Sequence, residues 1–121
     1  MKLQPLEGEL AVCRLESHEA VPSWAAGGPL VAVTRTAEEL SIVCAAAGVP
    51  EGVRAERGWR ALCVAGTLDF ALVGVLAGLT APLAQAGISV FAVSTFDTDY
   101  LLVKQERFEE ALRILERQEP Q

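Results

Sequence analysis

Residues 88–93, ISVFAV, are apolar at every position except Ser89. Successive side chains of an extended strand point to opposite faces, so Ile88, Val90 and Ala92 share one face while Phe91 and Val93 share the other. A strand with one wet face alternates apolar and polar residues. This one does not, and neither do LVAV (30–33) and YLLV (100–103). Such strands need a sheet whose second face is also covered, by the other half of the chain or by another copy of it.

The chain has 121 residues, enough for one ordinary domain or two small units sharing a core, and 51% of them are hydrophobic. The pattern implies strands at 9–16 (ELAVCRLE), 30–36 (LVAVTRT), 40–46 (LSIVCAA) and 59–66 (WRALCVAG). SHEAVPSWAAGGP and GVPEGVRAERG read as irregular, with room for at most one helical turn in the first. A helix follows over 70–86, with Thr67 or Asp69 as its cap and Gly87 as its left-handed stop. Gly74, Gly78 and Pro82 recur every fourth residue, a low-bulk face suited to lying close on a sheet, and Pro82 should bend or break the helix. Strands at ISVFAVST and DYLLVK flank a turn, and QERFEEALRILERQ closes the chain as an amphipathic helix. Its Phe108, Ala111, Leu112 and Leu115 share a face, with Glu109 and Arg113 spaced as an i,i+4 pair.

From residue 59 the order is therefore β-α-β-β-α. The first half repeats the plan with its helices nearly deleted. This is an α+β arrangement, antiparallel sheets with helices on one face.

Several function classes drop out on chemistry. A formal net charge of −6 and the lack of a basic patch interleaved with aromatics speak against nucleic acid. Cys13, Cys44 and Cys63 sit inside apolar runs without CxxC spacing, as small buried hydrophobes do, and no residues have metal-ligand spacing. His18 is the only histidine, so no catalytic Cys/His or Ser/His/Asp set can be assembled and no cofactor is implied. The uncharged stretch between Asp69 and Asp97 holds a helix of about 25 Å at most, short of a membrane span. The expectation is a soluble, cytoplasmic protein with reduced thiols.

GTLDFALVGVLAGL leading to APLAQAGISVFAVSTFDTDYLLVK resembles the ACT domain. The nearer likeness is to the branch containing CASTOR-type amino-acid sensors and small bacterial tandem-ACT proteins, and TRTAEELSIV is similar to that branch's N-terminal half. The resemblance implies a ferredoxin-like tandem, with an N-terminal ACT-like half at 1–58 and an ACT domain at 59–121. A full module ends in one more strand, and here the N-terminal strand is the candidate for that place. It also implies a non-catalytic regulatory protein, an effector that is usually an amino acid, and a homodimer. In this branch the ligand lies between modules, near the loop entering the first helix and the hairpin before the third strand. Those positions are Gly66, Thr67, Leu68 and Asp69, and Ser94, Thr95, Phe96, Asp97 and Asp99. An interaction or oligomerisation module without a ligand is the alternative.

The chemistry of these residues suits a zwitterion. Free N–H groups at a helix start attract a carboxylate, and nearby acids attract an ammonium. Asp99, first in its strand, is the stronger candidate for a pocket. Asp97 reads as a turn residue bonding its own backbone, and Glu38 and Glu39 as solvated turn residues.

Overall fold

The computed structural model describes residues 2–64 and 74–118. Among these described residues are seven strands and two helices: β1 (Leu3–Pro5), β2 (Leu10–Leu15), β3 (Ala32–Arg35), β4 (Leu40–Ala45), β5 (Ala55–Val64), α1 (Val75–Gln85), β6 (Phe91–Ser94), β7 (Asp99–Lys104) and α2 (Phe108–Gln118), with short 3-10 turns at Ala46–Gly48 and Gln105–Arg107. The chain divides into two compact units, residues 7–59 and residues 1–6 with 60–121.

In the unit of residues 7–59 the strand order is β3-β4-β2-β5, and every pairing is antiparallel. Its core joins Ala11 and Cys13 of β2 to Leu40, Ile42 and Cys44 of β4, and Ala25, Ala46 and Val49 close over them from loops. Trp24 and Val53 pack at the margin. Irregular segments thus do the covering that helices would do. Two devices hold them down. Arg57 donates to the carbonyls of Ala46 and Val49, both at 3.1 Å. Gly28 passes so near β4 that a Cβ there would lie 2.9 Å from the Ala45 Cβ, and its φ of +87° also favours glycine.

In the other unit β1 pairs antiparallel with β5, Leu3 opposite Val64, and the order continues β5-β7-β6. Both helices lie on one face of this sheet. Leu62, Val64, Leu101 and Val103, which share that face by their even spacing, form one core with Leu79 and Leu83 of α1 and Phe108, Ala111 and Leu115 of α2. This α+β, helix-on-one-face antiparallel arrangement is ferredoxin-like. The expected apolar face of α2 is present.

Several sequence expectations need correcting. The segment that completes β5 in this unit is Leu3–Pro5, which lies ahead of the run 9–16; that run supplies β2, which pairs with the earlier part of β5. β5 itself starts at Ala55, inside a stretch read as irregular. The first helix begins at Val75 behind Gly74, whose φ of +82° is left-handed and which offers no side-chain cap. Thr67 and Asp69, read as caps, lie outside the described residues. Pro82 is inside α1, which runs on to Gln85. The small-residue face does not press on the sheet: Gly74 and Gly78 are exposed, and a Cβ on Gly78 would meet nothing within 4 Å. The ion pair near α2 is Arg107–Glu110 at 2.7 Å rather than Glu109–Arg113. Arg107 also donates to the Ala86 and Gly87 carbonyls, so it closes the C-terminal end of α1. No helix among the described residues is long and apolar enough to cross a membrane.

The apolar strands differ in how far they are covered. Leu101, Leu102 and Val103 of β7 are fully buried, on both faces. β6 is not: Phe91 and Val93 are half-buried, and Ala92 and Ser94 are exposed.

Candidate functional site

β6 and β7 meet in a hairpin whose register sets Ser94 opposite Asp99. Its turn is closed by threonine. The Thr95 N–H donates to the Thr98 carbonyl at 2.8 Å, and the Thr98 N–H donates to Thr95 Oγ1 at 3.2 Å. The Thr98 hydroxyl then reaches the Val64 carbonyl at 2.7 Å, which fixes the turn to the last residue of β5. A hydroxyl one turn back accepts the N–H that an aspartate would otherwise take.

Asp97 is therefore spare. It is exposed and makes none of the turn's hydrogen bonds, against the expectation that it bonds its own backbone. Phe96 beside it is 80% exposed. Asp99 is half-buried and accepts a 2.6 Å hydrogen bond from the Ser94 hydroxyl on Oδ1. The structure thus brings Ser94, Thr95, Phe96, Asp97 and Asp99 together on one hairpin, beside the end of β5. The other four candidates, Gly66, Thr67, Leu68 and Asp69, lie outside the described residues.

The β3–β4 hairpin is built the same way, which the sequence reading missed. The Thr36 N–H donates to the Glu39 carbonyl at 2.9 Å, and Thr36 Oγ1 accepts from the Glu38 and Glu39 N–H groups at 3.1 Å each. A threonine four residues ahead of the returning strand, at 36 and at 95, was the available signal. The contents differ. Where one hairpin has Ser94 opposite Asp99, the other has Arg35 opposite Leu40. Leu40 is in the core, and Arg35 donates to the Ser17 carbonyl. Only the β6–β7 hairpin offers a carboxylate at that register position.

The cysteines supply no nucleophile here. Cys13 and Cys44 lie on one face of the β2–β4 pair, and burial, with Cys44 adjacent, pushes the Cys13 thiol up to about 11. Burial raises Cys44 and Cys63 as well, while His18 is exposed. A thiol that holds its proton more tightly in the folded chain stabilises the fold below its ordinary value near 9, and that contribution is lost as pH rises through about 11. Native protein at pH 8 is expected to leave Cys13 and Cys44 unreactive toward an aromatic disulfide until guanidinium exposes them. Stability measured in urea should fall from pH 9 to 11, and less so in Cys13→Ala. Rapid native labelling of Cys13 would refute this. Among the described residues no group of three His, Cys, Asp or Glu side chains is placed to hold a metal ion.

Comparison with known proteins adds to this geometry. The family described as ACT domain matches residues 54–117, and a family described as an N-terminal domain matches residues 8–52. A protein of solved structure from Agobacterium tumefaciens is 40% identical, with a TM-score of 0.90 over 96% of this chain and 87% of that one. A Vibrio cholerae protein of unknown function is 22% identical, with a TM-score of 0.78 over 96% and 88%. The ligand-free regulatory subunit of aspartate kinase from Thermus thermophilus shares the fold at 9% identity, with a TM-score of 0.65 over 98% and 95%. No curated protein matches the chain.

Proposed function

We propose, from the premise that this chain belongs to the ACT-domain family, that it is a non-catalytic regulatory protein whose β6–β7 hairpin holds a small molecule, a free amino acid. One observation carries the reading. Thr95 and Thr98 complete the turn without help from an acid, yet a carboxylate is held half-buried at Asp99 with one oxygen fixed by Ser94. Its second oxygen can accept from an ammonium, a charge-assisted bond stronger than a neutral one. Residues 66–69, which follow shortly after Val64 in the chain, supply the carboxylate side of the ligand in this reading. The tandem, sensor-type organisation is part of the same proposal, supported by the duplicated threonine hairpin and by the separate match of residues 8–52. So are a homodimeric state and a cytoplasmic location, the latter supported by three cysteines that are all free.

The test is a thermal-shift panel of the common amino acids. A ligand at 100 times its Kd should stabilise the fold by about 2.7 kcal/mol. Asp99→Ala should abolish that shift and move the unliganded melting point by only a few degrees, because the group is half-exposed and loses a single hydrogen bond. If no amino acid shifts the wild type, the chain is an interaction module without a ligand. If Asp99→Ala unfolds the protein, the aspartate is structural.

A further inference from the structure

β1 lies at the opposite edge of its sheet from β6, and a cavity of about 220 Å3 opens between it and α2, lined by Lys2, Leu3, Pro5, Leu112 and Glu116. The strand supplies one wall. Leu3 and Pro5 stand opposite Val64 and Leu62, so both side chains lie on the helix face of the sheet. The helix supplies the other wall through Leu112 and Glu116, one turn apart on the same side. Leu3 and Leu112 also pack on the core, so the apolar floor is continuous with it. The space equals that of roughly seven water molecules at about 30 Å3 each, below the roughly 300–1,000 Å3 of pockets for drug-sized ligands. It suits a molecule with a short carbon chain.

Each wall also carries a charge that the chain leaves unused. Lys2 and Glu116 are exposed, and among the described residues neither side chain forms an ion pair or a hydrogen bond, with the other or with a third group. Glu116 is also misplaced for its helix. It sits in the last turn of α2, where the negative end of the dipole favours a cation. The rest of α2 follows that rule, with Glu109 and Glu110 in the first turn and Arg117 in the last. An unpaired carboxylate at a negative helix end, over an apolar floor, is a place for a positive group from outside the chain.

We infer that this cavity is a second binding site, for a small zwitterion with an aliphatic body. Its ammonium lies against Glu116 and the end of α2, its carboxylate against Lys2, and its carbon chain on Leu3, Pro5 and Leu112. A neutral molecule leaves both charges unused, and a singly charged one leaves one. The site stands apart from the β6–β7 hairpin. β5 and β7 lie between the two edges, a separation of roughly 14 Å at about 4.8 Å per strand. The inference therefore does not rest on the hairpin reading. Occupancy ties β1 to α2 and so holds the N-terminal strand in place.

Titration of the amide NMR spectrum with L-norvaline tests this in wild type, Lys2→Gln, Glu116→Gln and Asp99→Ala. Pentanoate and butylamine serve as analogues that lack the ammonium and the carboxylate respectively. Norvaline should shift the Leu3 and Leu112 signals to saturation and slow amide exchange at Cys63, whose backbone faces β1. Each glutamine variant and each analogue should weaken binding about tenfold or more, the scale of one lost charge-assisted bond, with an unchanged circular dichroism spectrum. Asp99→Ala should bind at the cavity as wild type does. No shift at Leu3 and Leu112, equal binding of all three compounds, or full binding in both glutamine variants would overturn the site. Shifts at Leu3 and Leu112 that vanish in Asp99→Ala would overturn it too. Silence at residues 94–99 with binding at the cavity would support this site and count against the hairpin alone.

Discussion

Truncation of Phe108 to alanine is expected to cost about 3–5 kcal/mol, the range for deleting a buried aromatic side chain. Phe108 is 2% exposed and begins α2, where it touches the core shared by both helices and by β5 and β7. The ring also lies under the Arg60 guanidinium, 4.4 Å from its centroid, a contact worth roughly 0.5–1 kcal/mol. Since whole domains are stable by only about 5–15 kcal/mol, the variant should lose much of its margin. Urea unfolding of Phe108→Ala and Phe108→Leu measures this. Leucine should recover most of the packing loss and none of the cation–π contact, so Arg60→Ala should cost less in the Phe108→Leu background than in wild type. A loss below 1.5 kcal/mol for Phe108→Ala would show that the helices can close over the gap.

The second large effect is expected from removing residues 1–6. Leu3 packs against the core of the unit of residues 1–6 and 60–121, and the Leu6 N–H bonds Ala61 at 2.9 Å. The Leu6 carbonyl accepts from Arg60 at 2.9 Å. At about 1 kcal/mol for each hydrogen bond, with Gln4 adding its share of the ladder, and roughly 1–2 for the partly buried leucine, the loss is about 4–5 kcal/mol. Such a loss lowers the melting temperature by roughly 15–25 °C. It also bares the β5 edge at Ala61 and Cys63, whose backbone groups face β1, so faster amide exchange at Cys63 should accompany the shift. A melting point within three degrees of wild type would show that β1 only decorates the sheet.

These two elements also mark how far the sequence could be read. α2 was legible because Phe108, Ala111 and Leu115 repeat at helical spacing and all three are buried. β2, β4 and β7 were legible because each is a long apolar run bounded by turn residues. β1 was not. Three residues are too few to show a period, one of them is proline, and their extended form comes from pairing with β5. The start of β5 was hidden for a related reason. Glu56, Arg57 and Gly58 look like loop residues, and they are in a strand because β2 is there to pair with Ala55, Glu56 and Trp59. Gly78 misled by its spacing: a stripe of small residues can face solvent as readily as a sheet, and composition alone does not say which. At the site, the cluster at 94–99 was visible, whereas the division of labour within it was not. That needed the register, which set Ser94 against Asp99 and left the turn to two threonines.

Residues 1–6 belong with residues 60–121, while residues 7–59 form a unit of their own between them. In order of synthesis this has a consequence. β1 leaves the ribosome well ahead of its partner and must wait, because the end of β5 emerges some sixty residues later. Residues 7–59 are contiguous, so they can organise while the N-terminal strand is still unplaced. Closing the larger unit then has to bridge an insertion that is already compact, which shortens the effective loop and lowers its entropic cost. Joining the end of α2 to Leu3 by a short linker, and opening the chain between β1 and β2, would turn this into a sequential β-α-β-β-α-β fold. Folding rate, more than final stability, is what such a rearrangement would change.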